Sequence, residues 1–315
     1  MMISIEISAS PNSAQWQSIN WKAVESHVLK LQMRIAKATR EGKHGKAKAL
    51  QWILTHSRSA KLLAVKRVSQ NKGSKTPGID GVIWNTDTRR MKAVNQLSRR
   101  AYQAKPLKRI YIPKKNGKLR PLGIPCMIDR AQQALHLLAL EPISETIADP
   151  NSYGFRSNRS TADAIAQCFI CLSQKKSAQW VLEGDIKACF DKIGHQWLIE
   201  NIPADKRMLE QWLKSGFIDK GLFYHTDEGT PQGGIISPTL MLMTLAGLEQ
   251  RIKSTALKKG ARANFIGYAD DFVVTSASKE VLENDIKPLI AEFLAERGLT
   301  LSEEKNAHYP HQPWF

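Results

Sequence analysis

Phe265-Ile266-Gly267-Tyr268-Ala269-Asp270-Asp271-Phe272-Val273-Val274-Thr275 is the stretch on which the fold turns. Apolar, β-prone residues flank two adjacent carboxylates, a pattern that predicts a hairpin with Asp270 and Asp271 at its tip. Neighbouring carboxylates repel unless a cation sits beside them, and successive strand residues point to opposite faces, so at most one can aim squarely at a shared metal. A second anchor has to come from elsewhere. Val181-Leu182-Glu183-Gly184-Asp185-Ile186-Lys187-Ala188-Cys189-Phe190-Asp191 supplies it, an apolar approach ending in Asp185. Asp185 and Asp270 on adjacent strands would hold Mg²⁺ through hard oxygens and leave positions open for phosphate, the arrangement phosphoryl transfer needs. Alone, an Asp-Asp pair is more often a solvated turn; the rest of the chain has to decide.

The chain has 315 residues, enough for one large or two to three modest subdomains. Lys and Arg number 46 against 29 Asp and Glu, a formal charge of +17 spread along the sequence. That excess suggests a polyanion partner, most simply nucleic acid, over a merely soluble basic protein. Cys126, Cys168, Cys171 and Cys189 are too few and too unevenly placed for a disulfide framework. Cys168 and Cys171 have C-x-x-C spacing without a second pair and lie in an apolar run, which reads as packed thiols and not as zinc or redox chemistry. The first ten residues lack a signal-peptide pattern, and no segment approaches ~18 uninterrupted apolar residues. A soluble, cytoplasmic protein without a membrane partner is expected.

Residues 1–20 are polar, with Trp16 and Trp21 as the strong anchors, and are expected to be poorly ordered. Val24, Val28, Leu31 and Ile35 then recur at helical spacing, with Lys30, Arg34, Lys37 and Arg40 on the remaining surface. A second basic helical run is expected from Lys46 to Val68. These are either two solvated helices or an RNA-facing surface. Lys72 to Gly81 is a loop punctuated by Gly and Pro, suited to close approach of a phosphate chain but equally a linker. Arg109 to Pro125 reads as a hairpin turning at Asn116-Gly117, with Lys114 and Arg120 as a point charge and a planar fork suited to a triphosphate, or as a charged edge hairpin. Ser160-x-x-Asp163 starts a helix, preceded by Arg156 and Arg159, which fit a template strand or a packed loop. Gly229 to Pro238 is a glycine-rich loop exposing Gln232, with Ser237 as the cap of the next helix. Ser278 caps a last helix running to about Arg297 and stopping at Gly298.

In identity and order, the motifs KTPGIDG (75–81), IPKKNGKLRPLGIP (112–125), SYGFRSNRSTADA (152–164), DIKACFD (185–191), GTPQGGIISP (229–238), YADD (268–271) and LSEEK (301–305) resemble those of reverse transcriptases encoded by bacterial group II introns. The resemblance runs from about Trp21 to Lys305. It implies an α+β, right-hand polymerase with a helical N-terminal extension (21–82), fingers (83–180) and a palm (181–305) whose antiparallel sheet carries the carboxylates. It implies RNA-directed DNA synthesis with two Mg²⁺ ions, on an intron RNA template, from a DNA primer and dNTPs. Asp185 and Asp270 match the metal-ligating aspartates, with Asp271 beside them and the Ile186 carbonyl completing one shell. Phe190 matches the aromatic residue beneath the deoxyribose, whose ring would clash with a 2′-hydroxyl. Lys114 and Arg120 match the cations on the triphosphate, Gln232 the loop residue on the nucleotide, and Lys305 a lysine that protonates the leaving pyrophosphate. Lys75, Arg156 and Arg159 are expected on template or intron RNA.

The resemblance stops at Lys305. Residues 306–315 diverge, and the family's primer-grip pair, thumb and endonuclease segments have no counterpart in this sequence. A thumbless chain is expected, truncated or split, whose activity alone is open and to which a separate C-terminal thumb or maturase piece could be supplied. Two other readings stand beside the polymerase: a non-enzymatic RNA-binding splicing (maturase) factor, and a defence-associated reverse transcriptase.

Overall fold

The computed structural model describes residues 11–100, 102–113, 117–174, 176–231, 233–302 and 307–310. The chain starts with α1 (Pro11–Gln17), α2 (Trp21–Arg40), α3 (His44–His56), α4 (Arg58–Gln70) and, after a 3₁₀ turn at Lys72–Lys75, α5 (Asp87–Gln96). The hairpin β1 (Leu107–Pro113) and β2 (Leu119–Ile124) leads into α6 (Met127–Ile147) and α7 (Thr161–Leu172). Then come β3 (Trp180–Lys187), α8 (Cys189–Lys192), α9 (His195–Asn201), α10 (Lys206–Leu213), β4 (Phe217–Asp219) and β5 (Leu222–Tyr224). The chain continues through α11 (Ser237–Leu245), α12 (Leu248–Lys258), β6 (Ala263–Tyr268), β7 (Asp271–Ser276), α13 (Lys279–Val281) and α14 (Lys287–Ala295), and ends with β8 (Thr300–Leu301) and β9 (Ala307–Pro310).

Some of these elements differ from the sequence expectation. Within 1–20, α1 is a helix, because burial of Trp16, edge-on to Trp21 at 5.1 Å between ring centroids, offsets the cost of ordering it. The single run from Lys46 to Val68 is two helices. Ser57 takes an extended ψ of 140° between them, and its hydroxyl accepts the Ala60 N–H at 3.1 Å, which starts α4. Ser237 lies inside the start of α11 with a buried hydroxyl that makes no hydrogen bond among the described residues, so it does not cap as expected. The last helix runs as foreseen but passes through a π turn at Leu282–Ile286. Val28, Leu31 and Ile35 are buried in α2 while Lys30, Arg34, Lys37 and Arg40 are exposed, as the spacing requires.

The chain divides into two units. The first comprises residues up to 143 with 207–226 and 233–236, and its sheet has the order β2-β1-β4-β5. The second comprises 144–206, 227–232 and 237 onward. Its sheet is antiparallel: β6 pairs with β7, β7 with β3, and the other side of β3 with β8 and β9. Leu182 and Ile186 of β3, Phe265 and Ile266 of β6, and Phe272 and Val274 of β7 are buried. The divergent tail therefore contributes a strand. The fold class is α+β.

Candidate active site

Alternation along β3 buries Leu182, Gly184 and Ile186 and leaves Asp185 half-buried at the strand's C-terminal end. In the antiparallel register Asp185 lies opposite Asp271, while Tyr268 closes the β6–β7 hairpin against Asp271. The two-residue turn between them is Ala269-Asp270, with Ala269 in the left-handed region at φ +59°, as short hairpin turns demand. The Ile186 N–H donates to the Asp270 carbonyl at 3.1 Å, and the Ser302 N–H donates to the Asp185 carbonyl at 2.8 Å. The hairpin tip and the end of β3 are thus tied by backbone bonds, bringing Asp185, Asp270 and Asp271 to one end of one sheet. Asp271 is exposed, and Asp270 is half-buried like Asp185.

After β3, Ala188 adopts φ +47° and turns the chain into α8, placing Phe190 beside this end of the sheet. The Phe190 carbonyl accepts the Thr230 N–H at 2.6 Å, and the Ile193 carbonyl accepts the Gly229 N–H at 2.7 Å. Gly229 sits at φ +83° with Asp191 O only 2.7 Å from where a Cβ would be, so no side chain fits there. His195, buried at the start of α9, donates Nε2–H to the Gly229 carbonyl at 2.7 Å, since a carbonyl can only accept. Burial pushes the Cys189 thiol well above its ordinary range, and the charges of Asp270, Asp185 and Asp191 add to the shift. It stays a protonated, packed thiol.

A second layer lies beneath the hairpin. The Tyr153 N–H donates to the Gly267 carbonyl at 2.8 Å, and the Gly267 N–H to the Asn151 carbonyl at 2.9 Å. Gly154 is pressed so close that a Cβ would lie 2.1 Å from the Ala269 nitrogen. Glu249 accepts both the backbone and side-chain N–H groups of Asn151, and Asp149 accepts the N–H groups of Gly247 and Glu249 at the start of α12. Burial raises the Asp149 carboxyl above its ordinary range, against the pull of those backbone donors.

Arg156, expected on a template strand or in a packed loop, serves this layer. Its guanidinium bonds to both oxygens of Glu145 and to the carbonyls of Asp149 and Ser152, and its side chain is 6% exposed. A fork with its donors taken up by the fold leaves little for a phosphate. Arg159 is exposed, 6.0 Å from the Tyr153 ring. Lys75 is exposed at the end of the 3₁₀ turn, and Arg120 is exposed on β2 opposite Ile112, both in the first unit. Lys114, Gln232 and Lys305 lie outside the described residues. Cys168 and Cys171 pack against Tyr153, Ala164 and Ile266, as their apolar setting suggested.

Arg130, passed over in the sequence, holds the Lys72–Gly81 loop: its guanidinium donates to the carbonyls of Gly73, Thr76 and Pro125 at 2.7–2.9 Å. Nothing local marks it except a cation in an otherwise core-facing helix. Among the described residues no group of three or more His, Cys, Asp or Glu side chains is gathered as a metal site. Asp185 and Asp270 suit Mg²⁺, a hard cation that keeps several waters and takes one or two carboxylates with substrate phosphates. Among the described residues no helix is long and apolar enough to cross a membrane.

Residues 112–314 match the reverse transcriptase (RNA-dependent DNA polymerase) family, and residues 16–97 match the N-terminal domain of reverse transcriptase. The chain belongs to the reverse transcriptase family. It is 38% identical over 242 residues to Protein YkfC of Escherichia coli, covering 72% of this chain and 63% of that protein. It is 34% identical over 205 residues to the group II intron-encoded protein LtrA of Lactococcus lactis, covering 62% of this chain and 34% of LtrA. The chain therefore spans about a third to two thirds of the length of these relatives. Among solved structures, telomerase from Candida albicans superposes with a TM-score of 0.50 at 12% identity, over 66% of this chain and 43% of that one. That likeness concerns the fold, and it agrees with the fingers-and-palm architecture. The intron-encoded branch of the family is the one the sequence motifs resemble.

Proposed function

We propose that the chain is an RNA-directed DNA polymerase of a mobile group II intron, adding dNTPs to a primer 3′-hydroxyl on an intron RNA template. The observation that carries this reading is the convergence of Asp185 and Asp270, locked by the Ile186 N–H to Asp270 carbonyl bond, at one end of the sheet. In this reading the second unit is the palm and the first unit the fingers with an N-terminal extension. Two Mg²⁺ ions held by Asp185, Asp270 and the Ile186 carbonyl would acidify the 3′-hydroxyl and neutralise the departing charge. The primer oxygen attacks the α-phosphorus, the bond to pyrophosphate breaks, and Lys305 returns a proton to the leaving group. Lys114 and Arg120 hold the triphosphate, Gln232 touches the nucleotide, and Phe190 lies under the sugar. Asp271, exposed beside the turn, adds negative potential without being required as a ligand.

Nucleic acid is held by distributed charge. Between Trp21 and Lys75 there are fourteen Lys or Arg and two acids, Glu25 and Glu41, each of which is already paired with lysine. Such a surface binds phosphate without reading sequence. Lys75 and Arg159 stay in this set. The same surface favours a second reading, a splicing factor that binds intron RNA without copying it.

Primer extension on an RNA template with dNTPs and Mg²⁺ separates the two. Extension by the chain that disappears in Asp270→Ala, with RNA affinity kept, supports the polymerase. RNA binding with no extension, even when a thumb-containing C-terminal piece is added, supports the splicing factor. Equal loss of extension and RNA affinity in Asp270→Ala would refute the separation of roles.

A further inference from the structure

The geometry points to Phe155 as a second determinant of sugar selection, a positioning residue that acts by holding the ring of Phe190. The inference rests on the reading of Phe190 as the residue beneath the sugar.

Phe155 sits at φ +62°, a strained region that bulky residues rarely occupy. Core burial does not explain that conformation, because the residue remains 38% exposed. What the conformation achieves is a contact: the ring meets Phe190 edge to face, with centroids 5.6 Å apart and planes at 74°. The neighbours on either side enforce it. Gly154 is wedged against the Ala269 nitrogen, and Arg156 is tied down by Glu145 and two backbone carbonyls. The backbone of Phe190 is fixed independently, through the Thr230 N–H on its carbonyl.

A steric barrier to a 2′-hydroxyl is only as effective as the resistance of its ring to being pushed aside. The backbone bond at Thr230 does not restrain the Phe190 side-chain torsions, whereas the Phe155 ring, set edge to face against it, opposes their rotation. The same turn, 151–156, is hydrogen-bonded to β6 beneath Ala269 and Asp270. One rigid element therefore sets where the sugar-facing ring stands relative to the catalytic turn.

The test compares CTP with dCTP opposite a template G, by single-turnover incorporation and by equilibrium binding to the enzyme–primer–template complex. The variants are Phe155→Gly, Phe155→Tyr, Phe190→Ala and the Phe155→Gly/Phe190→Ala double. Glycine accepts φ +62° without strain, so Phe155→Gly removes the ring and relieves the backbone together. We expect Phe155→Gly to raise the ribo-to-deoxy ratio about three- to tenfold, the range one aromatic pair supports. Phe155→Tyr, which keeps the ring, should stay near the unmutated ratio, and the double variant should not exceed Phe190→Ala. Equal loss of CTP and dCTP use in Phe155→Gly, or full additivity in the double, overturns the inference while leaving the role of Phe190 standing. An unchanged ratio in Phe190→Ala, or binding of neither nucleotide, removes the reading of Phe190 and this inference with it.

Discussion

At the scale of single residues, the side chains that matter most outside the carboxylate site are polar groups taken out of water. Asp129 is 2% exposed; the Tyr102 hydroxyl donates to its Oδ1 at 2.7 Å, while Oδ2 is buried and makes no hydrogen bond among the described residues. Burial pushes the Asp129 carboxyl up to about 6, against the lowering by Tyr102. A raised carboxylate holds its proton more tightly in the folded state than in the unfolded one. Its contribution to stability is therefore full near pH 4 and lost as the pH rises through about 6, a change on the order of 1–3 kcal/mol. Thermal melts of the unmutated chain and Asp129→Asn between about pH 4 and pH 7.5 should show that slope in the first and a flatter one in the second; parallel slopes would refute it. Sequence reading set Asp185 at the end of an apolar strand run and Asp270 and Asp271 at a hairpin tip, and β3 and the β6–β7 turn lie there; Phe190 was reached only through the family resemblance, since it sits in α8, past the reach of strand alternation. It left Arg156 open between a template strand and a packed loop because an arginine in a loop looks the same whether it reaches outward or ties the loop to Glu145. The difference lies in Glu145, Asp149 and Ser152 converging on it, and convergence is a three-dimensional fact.

Among the elements, most of the order and type was legible and the junctions were not. The continuous helix expected over Lys46–Val68 splits because Ser57 offers its hydroxyl to the Ala60 N–H, a local competition that periodicity does not register. Ser57→Ala should cost about 1 kcal/mol of stability, read as a lowered denaturation midpoint with unchanged slope; no shift would mean the break is held by packing alone. The turn 151–156 was legible as a motif but not as a support for β6, since the pairing of Ser152 with Gly267 joins segments over a hundred residues apart. Gly154→Ala tests that support. With Ala269 N 2.1 Å from the new Cβ, the hairpin tip has to move, and nucleotide incorporation should fall at least tenfold while RNA binding changes little. Wild-type incorporation would show that the tip tolerates displacement.

For the whole molecule, composition was the safest guide. Of the net charge of +17, the stretch from Trp21 to Lys75 carries +12, fourteen cations less two acids that are already paired, so affinity for RNA should depend steeply on salt. Replacing Lys30, Arg34, Lys37 and Arg40 by Ala should lessen the slope of log affinity against log salt by about 0.7 for each single-strand phosphate that is no longer neutralised. An unaltered slope would place the RNA elsewhere. Such a change should not touch the folded core, because all four side chains project from the exposed face of α2. The tail was the least legible part: residues 307–310, expected to diverge, fall within the family match and lie along Trp180–Glu183 of β3 as β9. The strand carrying Asp185 would otherwise present a half-open row of amides and carbonyls, an invitation for foreign strands to dock. By sealing that edge, β9 makes the slow hydrogen exchange expected along β3, and its resistance to edge-to-edge association, depend on the last strand of the described chain.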